Sequence, residues 1–231
     1  MSKSAAIVLA AGQGKRMHSS VQKQFLLLDG KPLIFYGLDA FENSSVDQIV
    51  LVTGSDEISY CQTEIVEKYG FSKVTHIVSG GKERYHSVYE GLKAAEGADY
   101  VLIHDGARPL LTKEIISRTL KGAEEYGACV AGMPVKDTIK TVDSDGFVAA
   151  TPDRSRLWQI QTPQAFSYQW IRQAYDKLFS REEYQQGITD DAMVLETMSS
   201  HRVKLIEGSY SNIKVTTPED MAVAEALRKS C

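Results

Sequence analysis

The feature that most constrains the fold of this 231-residue chain is a short apolar run that leads directly into a glycine-rich loop. The run, Ala6-Ile7-Val8-Leu9, contains β-branched side chains and is typical of a buried first strand. The loop, residues 10–17, carries Gly12 and Gly14, which allow positive φ angles and a close approach of a ligand to the backbone. Because open α/β sheets bind ligands at the carboxyl ends of their strands, the loop is predicted to form part of a binding site.

The cations that follow these glycines predict a phosphate ligand. Lys15, Arg16 and Lys23 bring three positive charges to one loop, and such groups form strong hydrogen bonds with phosphate oxygens. The loop is not a Walker motif, because its spacing differs and Lys15 is followed by Arg16 instead of Ser or Thr. It is not a dinucleotide fingerprint either, because Met17 stands where that motif has a third small residue. The alternative is an ordinary tight turn with a solvated basic rim, and the pattern favours phosphate binding over it.

Strand-like and helix-like segments alternate along most of the chain. Strands are predicted at residues 6–9, 48–53, 73–79, 100–104 and 129–134, with helices at 32–41, 57–69, 83–95 and 112–126 between them. Two helices at 168–179 and 190–198, a strand at 203–207 and a last helix with Thr217 as N-cap and Pro218 in its first turn follow. This alternation predicts an α/β fold with a doubly wound, mostly parallel sheet, in a single domain over residues 1–231.

The alternation stops after Pro134, where the pattern predicts a β-hairpin. Residues 138–142 alternate polar and apolar side chains, Asp145-Gly146 is a turn signal, and residues 147–151 form a second strand-like run. A hairpin inserted into a parallel α/β domain leaves the central sheet instead of extending it. Its simplest interpretation is an edge hairpin that decorates the fold.

The composition limits the partners and the compartment. With 24% charged and 43% hydrophobic residues and a formal net charge of −4, the chain is ordinary for a globular protein, and no nucleic-acid partner is expected. Its cysteines, Cys61, Cys129 and Cys231, are isolated and odd in number, which favours free thiols in a reducing cytoplasm. No apolar run approaches the ~20 residues of a membrane helix, so no membrane partner is expected.

One carboxylate follows the predicted fourth strand. Asp105, beside a glycine at the end of a buried strand, is expected to face the ligand edge of the sheet, where it could bind Mg²⁺ directly or through water. The alternative, equally supported, is an Asp that caps the loop before Thr112. Arg108 can bind a substrate phosphate or pair with Asp105. His104 has no second His at ligand spacing and is interpreted as structural.

Two more segments supply candidate binding groups. Gly80-Gly81 connects a strand to a helix, and its backbone N–H groups can contact the edge of a base, to which Ser87 can add a hydroxyl; a plain turn is the alternative. Lys214 is predicted to lie in a short strand, pointing away from its apolar neighbours, and a solvated lysine is the simplest interpretation. Cations at strand ends with one well-placed Asp suit phosphoryl-type transfer, in which positioning and charge neutralisation supply most of the catalysis.

These motifs resemble those of the sugar-phosphate nucleotidyltransferases, and most closely those of the 2-C-methyl-D-erythritol 4-phosphate cytidylyltransferase family. The resemblance covers residues 9–17, 23–25, 80–87, 104–109, 134–140, 153–166, 189–192 and 212–220, in family order. It implies a Rossmann-like nucleotidyltransferase sheet with the hairpin as a dimerisation arm inserted at about residues 136–162. It also implies a reaction with Mg²⁺ in which a phosphate oxygen of the polyol phosphate attacks the α-phosphorus of CTP. The products would be 4-diphosphocytidyl-2-C-methyl-D-erythritol, an intermediate of the non-mevalonate isoprenoid pathway, and pyrophosphate.

The same resemblance assigns roles to individual residues. The catalytic cations would be Arg16, Lys23 and Lys214, which would neutralise the triphosphate and the transition state. The nucleotide would be bound by Ala10, Ala11, Gly12, Gly14, Gly81, Lys82 and Ser87. Lys82 stands where some relatives have an acidic residue, so only its backbone could do the same work. The substrate would be bound by Asp105, Arg108, Thr138, Arg154 and Thr162, with Asp105 also at the metal. Thr138 and Arg154 would reach from the arm into the site of the partner subunit in a homodimer.

Three alternatives remain open at this point. The ribitol-5-phosphate cytidylyltransferases share the opening and closing motifs, but Gly106-Ala107 and the segment 153–158 favour the erythritol enzymes. A non-catalytic nucleotide-binding module could use the same fold, since fold alone does not give function, but the catalytic cations and Asp105 are all present. A dehydrogenase is disfavoured by Met17.

Overall fold

The computed structural model describes residues 2–12 and 22–229. Within these ranges the strands are β1 (Ser4–Leu9), β2 (Leu27–Leu28), β3 (Lys31–Pro32), β4 (Gln48–Thr53), β5 (Val74–Ser79), β6 (Tyr100–Asp105), β7 (Ala128–Pro134), β8 (Thr141–Val142), β9 (Val148–Ala150), β10 (Trp158–Ser167) and β11 (Lys204–Glu207). The helices are α1 (Leu33–Glu42), α2 (Ile58–Tyr60), α3 (Arg84–Ala94), α4 (Lys113–Tyr126), α5 (Tyr168–Leu178), α6 (Asp191–Met198) and α7 (Pro218–Lys229).

Seven of the described strands form one sheet in the order β11-β7-β10-β6-β1-β4-β5. All neighbouring strands in it are parallel except β10, which is antiparallel to both β6 and β7. The predicted α/β fold with a doubly wound, mostly parallel sheet is therefore confirmed. β1 lies near the centre of the sheet, between β6 and β4, as expected for a strand whose side chains are buried on both faces.

The sequence analysis missed β10 as a strand. This segment contains Pro163 and the polar residues Gln159, Gln161 and Gln164, so it lacks the apolar run that marks a central strand. Its pairing with β7 is interrupted between Ile160 and Gln164, and the proline lies within that irregularity, where it removes no regular ladder hydrogen bond. A local break in the ladder therefore allows this proline-containing strand to lie inside the sheet.

Two hydrophobic cores cover the two faces of the sheet. Alternate residues of β1 enter them: Ala6 and Val8 pack in one core with side chains of α1 and α4, and Ala5 and Ile7 pack in the other with side chains of α3 and α5. The two-residue period of a strand explains why one short apolar run contributes to both cores. Doubly wound packing leaves the carboxyl ends of the strands as the open edge, where ligands bind.

Most of the predicted helices are present, with local differences. The predicted helix 57–69 is composite, because α2 continues into a π-helix at Cys61–Glu67. Thr112 caps α4 by accepting a hydrogen bond from the backbone N of Ile115 at 3.4 Å, and Gly127 ends that helix with a φ of 77°. Because Thr112 performs this capping itself, the alternative role of Asp105 as the cap of this loop is not observed. No helix in the described part of the chain combines the length and hydrophobicity needed to cross a membrane.

The predicted hairpin is present but shorter than expected. β8 and β9 pair antiparallel, with Thr141 opposite Ala150 and Val142 opposite Val148. Asp143 closes the turn, because its Oδ1 accepts hydrogen bonds from the backbone N atoms of Asp145 and Phe147 at 3.0 and 2.9 Å. Residues 138–140 were predicted as strand but lie outside the paired part, although Lys140 Nζ donates a hydrogen bond across the hairpin to Thr151 Oγ1 at 2.6 Å.

The prediction that Lys214 lies in a strand is wrong. Residues 212–216 belong to no described strand, and the backbone N of Val215 donates one hydrogen bond to the carbonyl of Ala107 at 2.9 Å. The apolar neighbours that suggested a strand are buried for another reason: Val215 is fully buried, and Ile213 packs against the same core. The alternation of apolar and polar residues therefore indicated correctly that Ile213 and Val215 pack in the core, but it predicted the wrong secondary structure.

Candidate active site

The carboxyl ends of the central strands meet at one edge of the sheet and enclose a cavity of about 670 Å³. Leu9 and Asp105, the last residues of β1 and β6, lie opposite each other in register. The cavity is lined by Leu9, Ala10, Ala11, Gly12, Lys23, Gln24, Gly81, Lys82, Glu83, Arg84, Ser87, Asp105, Ala107 and Lys214. The structure therefore brings residues from five separate segments of the sequence together around one cavity, including predicted binding residues from each segment.

The glycine turn between β5 and α3 forms one wall of this first cavity. Gly81 donates a backbone hydrogen bond to Ser87 Oγ at 3.1 Å, which fixes the turn on the first turns of α3. A Cβ on Gly80 would lie 2.5 Å from the Cβ of Ala11 and 2.6 Å from Ser87 Oγ. Only glycine allows this close approach of the turn to the end of β1. The predicted nucleotide-binding segments are thus in direct contact.

Lys23 and Gln24 form another part of the wall. The buried side chain of Gln24 donates a hydrogen bond to the carbonyl of Ala10, which ties the Lys23 segment to the end of β1. Lys23 lines the first cavity, as predicted for a phosphate-binding cation. Gly14, predicted to bind the nucleotide, and Lys15 and Arg16, predicted to bind phosphate, lie outside the described residues.

Asp105 is the centre of the charge arrangement. Its Oδ1 accepts a hydrogen bond from Arg84 Nε at 3.1 Å, and its Oδ2 pairs with Lys214 Nζ at 2.7 Å. Burial alone would raise the pKa of Asp105, but Arg84 and Lys214 outweigh burial and hold that pKa well below its usual range. The carboxylate is therefore ionised and oriented by two cations from segments 130 residues apart in sequence, residues 84 and 214.

Arg84 belongs to this site, and the sequence analysis gave it no role. Its Nη1 and Nη2 donate to the two carboxylate oxygens of Asp191 at 2.9 and 2.8 Å, in addition to its contact with Asp105. Burial opposes the charge of Arg84, but Asp191 and Asp105 together raise its pKa well above the ordinary value. One signal was present: Arg84 is the first residue of α3, where the helix dipole disfavours a cation unless acidic partners compensate.

A second cavity of about 330 Å³ adjoins the first. It is lined by Arg84, Asp105, Arg108, Ile160, Gln161, Thr162, Gln164, Thr189, Asp190 and Lys214. Arg84, Asp105 and Lys214 line both cavities, so these side chains form the partition between them. Thr162 and Arg108, predicted to bind substrate, line the second cavity only. Thr162 lies on β10 and was predicted from the resemblance, whereas Ile160, Gln161 and Gln164 of the same strand were missed because the strand itself was missed.

A chain of hydrogen bonds links Thr162 to His104 beneath the partition. The backbone N of Asp105 donates to Thr162 Oγ1 at 3.1 Å, that hydroxyl contacts His104 Nδ1 at 2.9 Å, and His104 Nε2 contacts the carbonyl of Arg108 at 3.4 Å. A neutral imidazole with its proton on Nε2 satisfies every one of these contacts. Burial lowers the pKa of His104 to about 4, so the ring is neutral at pH 7. Its interpretation as a structural histidine fits this geometry.

Arg108 forms no ion pair with Asp105 in the described part of the chain. Its Nη1 donates to the carbonyl of Asn212 at 2.7 Å, whereas the ion pairs of Asp105 within the described residues are with Arg84 and Lys214. Burial lowers the pKa of Arg108. The expectation that Arg108 could simply pair with Asp105 is therefore not met, and its second predicted role, binding a phosphate in the second cavity, is the one its position allows.

Thr138 and Arg154 lie apart from both cavities. Both are exposed, and Arg154 Nη1 donates to the carbonyl of Lys136 at 2.6 Å, which keeps its guanidinium on the arm. Neither residue lines the first or the second cavity within this chain. Their role in binding the substrate of a partner subunit stays a prediction.

A metal site made by the protein alone is not observed. The described residues contain no group of three or more His, Cys, Asp or Glu side chains arranged to hold an ion. Mg²⁺ commonly binds one or two carboxylates together with substrate phosphates and water. Each oxygen of Asp105 accepts one hydrogen bond here and keeps a second lone pair, so this carboxylate fits that mode of binding.

Comparisons with known proteins agree over nearly the whole chain. The family model of 2-C-methyl-D-erythritol 4-phosphate cytidylyltransferase matches residues 4–230. The 2-C-methyl-D-erythritol 4-phosphate cytidylyltransferase of Lachnoclostridium phytofermentans is 54% identical over 228 residues, which cover 98% of this chain and 97% of the relative. That of Lachnospira eligens is 50% identical over 225 residues, covering 97% and 98%. The crystal structure of 4-diphosphocytidyl-2C-methyl-D-erythritol synthase from Anaerococcus prevotii matches with a TM-score of 0.86 and 34% identity, covering 99% of this chain and 96% of that one.

Proposed function

Since this chain belongs to the 2-C-methyl-D-erythritol 4-phosphate cytidylyltransferase family, we propose that its two cavities divide the two substrates of that reaction between them. The chain is a cytidylyltransferase of isoprenoid biosynthesis. It transfers CMP from CTP to 2-C-methyl-D-erythritol 4-phosphate, which gives 4-diphosphocytidyl-2-C-methyl-D-erythritol and pyrophosphate.

The assignment of one substrate to each cavity rests on the partition between them. A transfer between two bound substrates requires the attacking oxygen and the phosphorus to meet, and Arg84, Asp105 and Lys214 line both cavities. The first cavity is the larger and contains the glycine turn, so it suits CTP, with the base on the backbone of Gly81 and Lys82. The second is smaller and polar, so it suits the polyol phosphate. The α-phosphate would then lie at the partition.

The cations supply the charge stabilisation. We propose that Arg16, Lys23 and Lys214 neutralise the triphosphate and the charge that develops on the pentacovalent phosphorus, because such fixed charges act most strongly where the reaction builds charge. Lys214 is 37% exposed beside Asp105, so its ammonium group can contact a phosphate without leaving the carboxylate. The role of Arg16 rests on the sequence resemblance alone.

Asp105 is proposed to hold Mg²⁺ together with the phosphates of CTP. When bound, Mg²⁺ would supply positive charge that stabilises the leaving pyrophosphate. Arg84 and Lys214 orient the carboxylate for this contact, and Thr162, which accepts a hydrogen bond from the backbone N of Asp105, fixes the backbone beneath it. Arg108 and Thr162 would bind the polyol phosphate in the second cavity.

The active enzyme is proposed to be a homodimer. The arm exposes apolar side chains: Phe147 is 73% exposed, and Val142 and Val148 are each 61% exposed. An isolated two-stranded hairpin is marginally stable in water, and a two-fold partner offers the same surface in return. Thr138 and Arg154 would then complete the second cavity of the partner. Buried free thiols at Cys61 and Cys129 support a location in the reducing cytoplasm.

Pyrophosphate release measures the activity and its substrate specificity in one assay. We expect release with CTP and 2-C-methyl-D-erythritol 4-phosphate, and little release when ATP replaces CTP or ribitol 5-phosphate replaces the erythritol substrate. Vigorous turnover of ribitol 5-phosphate would contradict the assignment of the second cavity. No release from any pair, in a folded sample that binds CTP, would identify a binding module instead of an enzyme.

A further inference from the structure

The guanidinium of Arg84 joins two carboxylates that lie far apart in the sequence. Its Nε edge donates to Asp105, and its Nη1 and Nη2 donate to Asp191 at 2.9 and 2.8 Å. Because the guanidinium is a rigid planar fork, a change at one edge turns the other edge as well. The position of Asp191 therefore sets the angle at which Arg84 meets Asp105.

Asp191 is itself fixed from several elements. It is fully buried at the start of α6, and its carboxylate accepts a hydrogen bond from Tyr175 Oη of α5 at 2.6 Å. Its backbone N donates to Gln164 Oε1 of β10 at 3.1 Å, and the next residue, Ala192, donates to the same oxygen at 2.9 Å. A tyrosine of α5 thus holds the carboxylate, and a glutamine of β10 holds the backbone from which that carboxylate extends.

Stability alone explains this arrangement poorly. The attraction within a buried ion pair is largely offset by the cost of removing both charges from water, so such a pair is weak support for a fold. Asp191 does not line either cavity, whereas the Arg84 that it holds lines both. What the pair supplies is orientation: the side chain of Arg84 is 29% exposed, yet all three of its nitrogens are engaged.

We propose that Asp191 is a positioning residue for cytidylyl transfer, whose buried carboxylate, supported by Tyr175, fixes Arg84 in the partition and through it the orientation of Asp105. The proposal rests on the proposed role of Asp105 at the meeting point of the two substrates. Asp191 contacts neither substrate in this scheme. Its influence on the reaction passes entirely through Arg84.

Asp191→Asn is the main test, because it keeps the size of the side chain and removes the second acceptor oxygen. A misplaced catalytic group can cost about 10²-fold in rate, and we expect a fall in kcat of that order with CTP affinity changed by less than about threefold. The kcat is measured per site that binds CTP, at a temperature well below the melting transition of the variant. A loss of stability alone would leave this normalised kcat unchanged.

The matched control lies on a neighbouring helix. Asp176 also accepts from a tyrosine, Tyr89 Oη at 2.7 Å, and from an arginine, Arg172 Nε at 3.0 Å, but it is exposed and lines neither cavity. Asp176→Asn should leave kcat within about twofold of the wild type, because exposed ion pairs contribute little. Tyr175→Phe is a milder variant of the network, with Tyr89→Phe as its control, and should lower kcat about threefold by loosening the Asp191 carboxylate.

A double-mutant cycle tests whether Asp191 acts through Arg84. Arg84→Lys keeps the charge beside Asp191 but cannot bridge both carboxylates as a fork. If the inference holds, Asp191→Asn lowers kcat by no more than about threefold in the Arg84→Lys background, because the interaction it serves is already lost. Losses that multiply in the double variant, or a wild-type kcat in Asp191→Asn and Tyr175→Phe, would overturn the inference.

If Asp191→Asn does not fold, the kcat of Tyr175→Phe alone decides whether the inference holds. A wild-type enzyme that releases no pyrophosphate would instead contradict the proposed function.

Discussion

The partition and the arm are both proposed to bind substrate, but they differ in burial and in the number of contacts that hold their side chains. Asp105 in the partition is 11% exposed, carries two ion pairs and is fixed by a buried hydrogen-bond chain behind it. Arg154 on the arm is exposed and contacts one backbone carbonyl of its own arm. The contacts that organise the partition come from a single chain, whereas in the proposed dimer the arm would bind substrate only together with a second copy. Stability and catalysis should therefore be coupled in the partition and separable in the arm.

Removal of a cation from the partition should have the largest effect. Lys214→Ala should lower kcat by roughly 10²–10³-fold, because it removes a charge placed where the transition state becomes more negative. Steady-state pyrophosphate release measures this loss. Lys204→Ala is the control, because Lys204 lies on an edge strand over the ring of Tyr126, outside both cavities. An unchanged kcat in folded Lys214→Ala would remove Lys214 from the mechanism and weaken the assignment of the partition.

Subunit mixing tests the other side of the comparison. Lys23→Ala disables the first cavity of its own chain, and Arg154→Ala disables the arm, so each variant alone should be inactive. If the arm acts in the partner subunit, random pairing of equal amounts makes half of the dimers mixed, and each mixed dimer has one intact site. About a quarter of the wild-type activity should return.

No recovery after mixing, with subunit exchange confirmed by a mass-tagged chain, would show that the arm acts within its own chain. That outcome would remove the contrast between the two regions, because both would then be organised by one chain. The assignments of the partition residues would not be affected by it.

The smallest expected effect is a pH dependence of stability that arises from His104, beneath the partition. The pKa of His104 is lowered from 6.5 to about 4 by burial, so the unfolded chain binds a proton that the folded chain excludes between these values. Stability is therefore fully present above about pH 6.5 and falls as the pH decreases toward 4. His104 should reduce the free energy of unfolding by about 2 kcal/mol between pH 7 and pH 5. The lowered pKa of Asp105 affects stability mainly at lower pH, because a carboxyl group in the unfolded chain takes up its proton at about pH 4.

Urea unfolding at the two pH values measures this change. In His104→Gln the step should disappear, although the variant will be less stable at pH 7 because the contacts to Thr162 and Arg108 change. His76→Gln is the control, because His76 is exposed on β5 and its replacement should keep the step. An equal pH dependence in His104→Gln and the wild type would assign the step to other groups.

Much of the fold could be predicted because buried residues recur in the sequence with the period of the strand or helix that contains them. The first strand, the alternation of strands and helices and the hairpin all follow from local patterns and turn residues, and each is present. β10 could not be predicted, because its central position in the sheet depends on β6 and β7 accepting an irregular, polar segment between them. Lys214 marks the limit of the same reasoning, since alternating burial there belongs to an irregular segment.

The sequence by itself determined the class of sheet, the loop at its binding edge and the residues that resemble a cytidylyltransferase site, because short motifs and periodic burial are local properties. Only the tertiary structure decided which of those residues meet. Arg84 contacts Asp191 across 107 positions of sequence, and Lys214 reaches Asp105 from a different segment again. Such contacts depend on strand order and on helix packing, and a single charged side chain carries no local signal of the partner it will find after folding. The partition between the two cavities is therefore a product of topology.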